Sequence, residues 1–186
     1  MSLLGMEEVA CRRGGRLLFE GLSLTLAAGE AALVRGPNGV GKSSLLRLAA
    51  GLLKPASGTV TAAEAALADE HLALDERQTV AAAIAFWSRL AGREAAPGIA
   101  AMGLDRLADV PVRMLSTGQR KRAALARVIA SGASLWLLDE PANGLDAEGQ
   151  ARLEAAMAAY RAAGGAVLAA SHQPLSLPGA TMVTLG

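Results

Sequence analysis

Residues 34 to 48 read VRGPNGVGKSSLLRL, and no other stretch constrains the fold so tightly. An apolar run, Ala31 to Val34, stops just before Gly36, and a leucine-rich run begins at Leu45. Between them Gly36, Pro37, Asn38, Gly39, Val40, Gly41, Lys42 and Ser43 fit G-x-x-x-x-G-K-[ST], a phosphate-binding loop. Its glycines let the backbone curl so that successive N–H groups face phosphate oxygens. The Lys42 ammonium reaches the β- and γ-phosphates, and the Ser43 hydroxyl is placed for Mg²⁺. The device works only where a strand enters and a helix leaves, because the helix adds its positive dipole end. The loop and its continuation, Gly36 to Ser44, are therefore the expected binding residues for a nucleoside triphosphate. A plain glycine-rich turn is the competing account.

The rest of the chain agrees with an α/β fold. LSLTLAAGEAALVRG alternates and then turns wholly apolar, as strands entering a buried sheet do. Leucines at 45, 46, 48, 52 and 53 predict a helix from Lys42 to Leu53, closed by KPASG. TVTAAEAALA is one strand or two, which periodicity does not decide. Residues 79 to 91 read as a helix opened by a Thr cap. GREAAPGI reads as a loop, 99 to 108 as a short helix, and STGQRKRAALARVIAS as a helix with a capping Ser or Thr. SLWLLDE reads as a fully buried parallel strand ending in two acids. Helix 147 to 163 and strands AVLAAS and TMVTL complete the alternation, which implies a mainly parallel sheet covered on both faces. At 186 residues this is one domain. Aromatics are only 3%, so Ala, Leu and Val must build the core.

The two acids supply what the loop lacks. Asp139, at the tip of the buried strand, is placed to hold Mg²⁺ through a water, and Glu140 to orient or deprotonate an attacking water. A helix N-cap pair is the plainer alternative. His172 closes another apolar strand at the same sheet edge. Beside a γ-phosphate it would stabilise charge; elsewhere a lone His is usually structural. Other features narrow the setting. A net charge of +1 argues against a broad nucleic-acid footprint, so nucleic acid is not an expected partner. Cys11 stands alone and fits a reducing cytoplasm as a buried apolar side chain. Glu7 and Glu8 interrupt any signal peptide, and no uncharged apolar run reaches membrane-spanning length.

Leu115, Ser116, Thr117, Gly118 and Gln119 then make the pattern specific. With the phosphate loop, the paired acids and His172 in this order, the chain resembles the nucleotide-binding domain of ATP-binding-cassette (ABC) proteins from about residue 3 to 185. The pentapeptide resembles that family's signature, usually Leu-Ser-Gly-Gly-Gln, with Thr117 in third place. The resemblance implies a P-loop NTPase fold with a mainly parallel central sheet, a small antiparallel β part, and a helical subdomain of about 76–131 inserted in a RecA-like core. It implies ATP and Mg²⁺ as ligands and a homodimer across two ATP molecules. The signature, Ser116 to Gln119, then docks on the other protomer's γ-phosphate, with Asp146 in the D-loop and His172 as the switch histidine. Two departures stand out. Near position 13, where the family stacks an aromatic on adenine, the chain reads CRRGGR, so Arg12 or Arg13 stacks by its guanidinium plane or is a solvated strand end. The Q-loop glutamine has no clear counterpart: His71 lies near its place and Gln78 further on.

FWSRLAG, SHQPL and the short length are similar to a branch of bacterial haem exporters in cytochrome c biogenesis. That implies an ATP-hydrolysing translocase subunit, peripheral on the cytoplasmic face of the inner membrane, with an integral membrane permease subunit as partner. The ATPase of another small-molecule transporter is the alternative. A soluble cassette protein acting on DNA or ribosomes would carry a coiled-coil insertion or tandem cassettes, and a P-loop kinase needs no LSTGQ. Phe86 and Trp87 read as core of the helical part or as a groove for a transporter helix. Arg120, Lys121 and Arg122 read as a solvated helix face, with nucleic-acid contact as the alternative.

Overall fold

A computed structural model of the chain describes residues 2–186. Among these residues the strands form two sheets. β1 (Ser2–Arg13), β2 (Arg16–Ala27) and β4 (Ser57–Ala62) make an antiparallel sheet in the order β2-β1-β4. β3 (Ala31–Arg35), β5 (Ala65–Ala68), β6 (Leu135–Asp139), β7 (Ala166–Ala170) and β8 (Thr181–Thr184) make a parallel sheet in the order β5-β6-β7-β3-β8. The helices are α1 (Lys42–Ala49), α2 (Val80–Leu90), α3 (Ala96–Ala101), α4 (Thr117–Ala130) and α5 (Ala147–Ala162).

The parallel sheet separates two cores, and its strands show why their sequences are unbroken runs. Successive side chains of a strand point to opposite faces. In β6, Leu135 and Leu137 pack with α1 and the antiparallel sheet, against Leu4, Met6, Leu45 and Leu48. Trp136 and Leu138 pack on the other side, against the helical layer of α2, α4 and α5. A strand buried on both faces has no polar positions to spare. On the helical side Tyr160 of α5 stacks on Trp136 at 3.8 Å between ring centroids and 7° between planes, and its hydroxyl donates to the Ala133 carbonyl at 2.6 Å. That burial holds the Tyr160 phenol well above its ordinary range.

TVTAAEAALA is two strands in two different sheets. The chain crosses at Glu64, whose carbonyl accepts from the N–H groups of Ser134 and Leu135 at 3.0 and 3.1 Å, leading β5 alongside β6. The helix expected to reach Leu53 stops at Ala49. Gly51 takes a left-handed turn (φ 70°), the Leu52 and Leu53 N–H groups fold back on the Arg47 carbonyl, and Leu52 is left exposed. The segment read as a loop over GREAAPGI already turns helical at Ala96, with Pro97 in the first turn where its missing N–H costs nothing. Residues 105 to 107 are a separate 3₁₀ turn. β1 has irregular register, with bulges around Glu7, Glu8 and Ala10, and Glu8 has φ 47°.

The C-terminal ends of β3, β6 and β7 lie side by side and lead into the phosphate loop, Glu140 and Ser171-His172 respectively. An open parallel sheet takes its ligand at this edge.

Candidate nucleotide site

At the end of β3 the chain must curl tightly against the rest of the molecule. A side chain at Gly36 would collide with the Leu185 carbonyl, and one at Gly41 would meet the Phe19 ring at 3.1 Å. Gly41 also has φ 117°, a conformation that L side chains rarely adopt. Gly41 is the N-cap of α1 and supplies no side-chain oxygen, so the first N–H groups of α1 keep no capping partner from it. Lys42 is almost buried. Its ammonium donates to the Gly36 carbonyl at 2.8 Å and the Pro37 carbonyl at 3.2 Å, which holds it within the curl. Asn38, Gly39, Gly41, Lys42, Ser43 and Ser44 line a pocket of about 470 Å³ that also includes Asp139 and Glu140. Val40 packs its side chain beneath the loop instead, against the apolar core.

The structure brings Ser43 and Asp139 to the same pocket, where the Ser43 side chain favours the charged Asp139 carboxylate. Burial raises the Asp139 carboxyl above its ordinary range, the Ser43 contact opposes this, the Glu140 charge adds to it, and Lys121 reduces it. One hydroxyl and one carboxylate are hard oxygen donors. They suit Mg²⁺ held mostly by phosphates and waters, so the residues present fit that ion.

Glu140 follows with φ 45°, a left-handed conformation that costs a non-glycine residue about 1 kcal/mol. Its N–H donates to the Ala170 carbonyl at 2.8 Å, which fixes it to β7. Its carboxylate accepts from the His172 N–H at 3.2 Å and lies 2.9 Å from His172 Nδ1. The two residues from different strands thus form one hydrogen-bonded unit at the pocket's edge.

Ser116 and Gln119 form a reciprocal capping box on α4. The Ser116 hydroxyl accepts from the Gln119 N–H at 3.3 Å, and the Gln119 side chain accepts from the Ser116 N–H at 2.9 Å. Gly118 lies against Gly144, where any side chain would come within 2.9 Å of the carbonyl. Thr117 lines a separate cavity with Asn143, Lys121 and Asp69 that shares no residue with the phosphate pocket. Asp146 caps α5, its carboxylate accepting from the Gly149 N–H at 2.8 Å.

Several side chains have work that the sequence did not reveal. Arg120 and Lys121 are not a solvated face. Arg120 donates to the carbonyls of Arg113 and Leu115 at 2.7 and 3.2 Å. Lys121 donates to the Asp139 carbonyl at 3.3 Å, and burial lowers its ammonium below the ordinary range. Arg47 lines the phosphate pocket and also pairs with Asp69 at 3.2 Å. Asp69 in turn accepts from the His71 N–H at 2.9 Å, so His71 lies on the far side of that pair, largely exposed and outside the phosphate pocket.

Arg47, Asp69 and His71 also line a larger groove of about 670 Å³ with Leu52, Trp87 and Leu90. Leu52 and Leu90 are 70% and 71% exposed, and Phe86 beside them is 54% exposed. Trp87 is half-buried, its indole N–H donating to the Ala73 carbonyl at 2.8 Å and the Arg127 guanidinium lying 5.2 Å from its ring centre. The two accounts divide between the residues: Trp87 packs against the helical-side core and also lines the groove, whereas Phe86 is exposed and lines no part of it.

The sequence pattern described as ABC transporter matches residues 19–143. The cytochrome c biogenesis ATP-binding export protein CcmA of Sphingopyxis alaskensis is 56% identical over 188 residues, covering 99% of this chain and 97% of that protein. CcmA of Novosphingobium aromaticivorans is 58% identical, covering 91% and 88%. Among solved structures, an ABC transporter ATP-binding protein from Pyrococcus furiosus has the same fold, with a TM-score of 0.85 at 19% identity over 98% of this chain and 96% of that one.

Proposed function

The chain belongs to the ABC transporter family, and on that premise we propose that it powers an exporter in cytochrome c biogenesis as one of two identical cassettes closing on two ATP molecules. It is an ATP hydrolase of the translocase type. The near full-length likeness to CcmA proteins favours this over another small-molecule transporter or a cassette acting on nucleic acid. Haem is the cargo this reading assigns.

The mechanism follows from the residues at the sheet edge. Lys42 and the open N–H groups of α1 offset the charge of the β- and γ-phosphates. Ser43 and Asp139 would hold Mg²⁺, which when bound neutralises charge between those phosphates. Glu140 orients the attacking water and accepts its proton as the water oxygen bonds to the γ-phosphorus and the bond to the β–γ bridging oxygen breaks. ADP and phosphate leave. His172, 2.9 Å from Glu140, keeps that carboxylate facing the water and offers a hydrogen-bond donor to the departing phosphate.

The observation that carries the dimer is the separation of the two motifs within one chain. None of Ser116 to Gln119 lines the phosphate pocket, and Thr117 lines a different cavity, so on this reading the signature serves a nucleotide that sits on a second copy. Among the described residues no helix is long and apolar enough to cross a membrane. A CcmB/CcmC-like permease therefore supplies the membrane-spanning part and holds the pair on the cytoplasmic face. The groove with exposed Leu52 and Leu90 offers its landing place.

The test is to isolate the chain from detergent-solubilised membranes and identify the partner. Recovery with a permease in a ratio of two cassettes to one transport unit, and ATPase activity that depends on it, is expected. A monomer with full turnover and no membrane partner would overturn the reading.

A further inference from the structure

One peptide group joins Asp139 to Glu140, and both of its polar atoms are held. The Glu140 N–H donates to the Ala170 carbonyl at 2.8 Å, and the Asp139 carbonyl accepts from the Lys121 ammonium at 3.3 Å. In a trans peptide the N–H and C=O point in opposite directions, so β7 fixes the group from one side and α4 from the other. Turning that group would change ψ of Asp139 and φ of Glu140 together. The clamp therefore holds Glu140 at φ 45°, a conformation that a non-glycine residue keeps only where its surroundings enforce it. Lys121 itself is half-buried. Burial disfavours its charge, and the Asp139, Glu140 and Asp69 carboxylates favour it. A Met of similar length would fill the space without desolvating an ammonium. Lys121 lines the cavity with Thr117 and Asn143 and not the phosphate pocket, so it approaches the two acids from outside the place where a nucleotide binds.

Resting on the reading of Glu140 as the group that accepts the water's proton, we propose that Lys121 is a positioning residue for hydrolysis: it holds the Asp139–Glu140 peptide in the orientation that aims the Glu140 carboxylate at the attacking water. Without the Lys121 donor the C=O end of the clamp is open. The peptide can then turn, Glu140 can leave its left-handed conformation, and the carboxylate moves off the line of attack. A displacement of about 1 Å at a reacting group is enough to slow a reaction severely. Nucleotide binding does not need this orientation. Lys42, Ser43 and the open N–H groups of α1 belong to the phosphate loop, which the clamp does not touch. Lys121 thus acts on the chemical step through Glu140 and leaves affinity alone.

Steady-state hydrolysis by the assembled exporter and equilibrium binding of ATP to the full chain test this in Lys121→Met and Lys121→Arg. Lys121→Met keeps the length and loses the donor, so kcat should fall about tenfold while KM and ATP affinity stay within about twofold. Lys121→Arg keeps a charged donor and should bring kcat back to within about threefold of wild type. The melting temperature of Lys121→Met should not fall, because a buried ammonium has been replaced by an apolar group. In a Glu140→Gln background Lys121→Met should change phosphate release by less than about twofold, since the carboxylate it positions is gone. An unchanged kcat in Lys121→Met, a tenfold loss of ATP affinity, a melting temperature that falls with kcat, or a full tenfold loss on top of Glu140→Gln would overturn the proposal and leave the role of Glu140 intact. Wild-type turnover in Glu140→Gln would instead overturn the reading of Glu140, and the proposal with it.

Discussion

The phosphate loop and the signature present the same physical device, a helix N-terminus, in opposite states of completion. α1 begins at Gly41, which offers no side-chain cap, so its first N–H groups are left for a ligand. α4 begins at Ser116 with its cap complete, Ser116 and Gln119 answering each other. An uncapped end keeps its donors and its dipole for an anion that must arrive every cycle. A capped end is stable without any ligand and can only exchange one partner for another, so a phosphate reaching it competes with its own side chains. In the proposed dimer the first binds within the chain, and the second waits for a surface brought from outside.

The largest effect should come from breaking the open end. Lys42→Ala removes the ammonium that the Gly36 and Pro37 carbonyls hold in place. ATPase turnover should fall by at least a hundredfold and ATP affinity by about tenfold, measured by phosphate release and equilibrium binding. Turnover within tenfold of wild type would show that the curl is only a turn.

Glu140→Gln leaves both helix ends intact and removes the proton acceptor. Hydrolysis should drop by about a hundredfold or more while ATP binding stays within about threefold. The protein should then elute as an ATP-dependent dimer on a sizing column. Normal turnover would reduce Glu140 to a structural acid.

Ser116→Arg attacks the capped end alone. It should cost about 1 kcal/mol of stability, leave ATP binding to the isolated chain unchanged, and abolish hydrolysis in the assembled exporter. Mixing it with Lys42→Ala sharpens the contrast, since a heterodimer then has one site with both defects and one with neither. Partial recovery of activity is expected. Full activity of Ser116→Arg by itself would mean that the two ends never meet across a dimer.

The smallest effect concerns the cost of preparing the open end. Burial raises the Asp139 carboxyl, so its charge opposes folding at neutral pH. Asp139→Asn should raise the melting temperature of the nucleotide-free chain at pH 7 to 8. The gain should vanish as the pH falls below the ordinary aspartate range, because Asp139 is then itself neutral. A loss of stability at pH 7.5 would contradict the burial argument.

The open end was legible in the sequence because eight consecutive residues carry it, and so was the capped one, since a capping box spans four. β6 was legible for a different reason: burial on both faces leaves an unbroken apolar run. What stayed hidden depends on contacts between distant segments. Nothing in TVTAAEAALA marks the crossing at Glu64, which the N–H groups of Ser134 and Leu135 fix from another strand. The bulged register of β1 breaks the alternation that would have announced a strand. The Arg120-Lys121-Arg122 run looked solvated because composition does not show that the carbonyls of Arg113, Leu115 and Asp139 wait beside it. Arg47 gave no signal at all, since its importance lies in pairing with Asp69, twenty-two residues away.

Glu140 sits where the backbone would rather have glycine, and this sets two selective pressures against each other at a single codon. A one-base change from glutamate to glycine would release the left-handed strain and keep the N–H bond to Ala170, while deleting the carboxylate that moves the proton. The easiest path to a sturdier cassette at this position is therefore also a path to a silent one. Lineages that duplicate such a subunit carry a ready route to pairs in which one member binds nucleotide for life and only the other burns it.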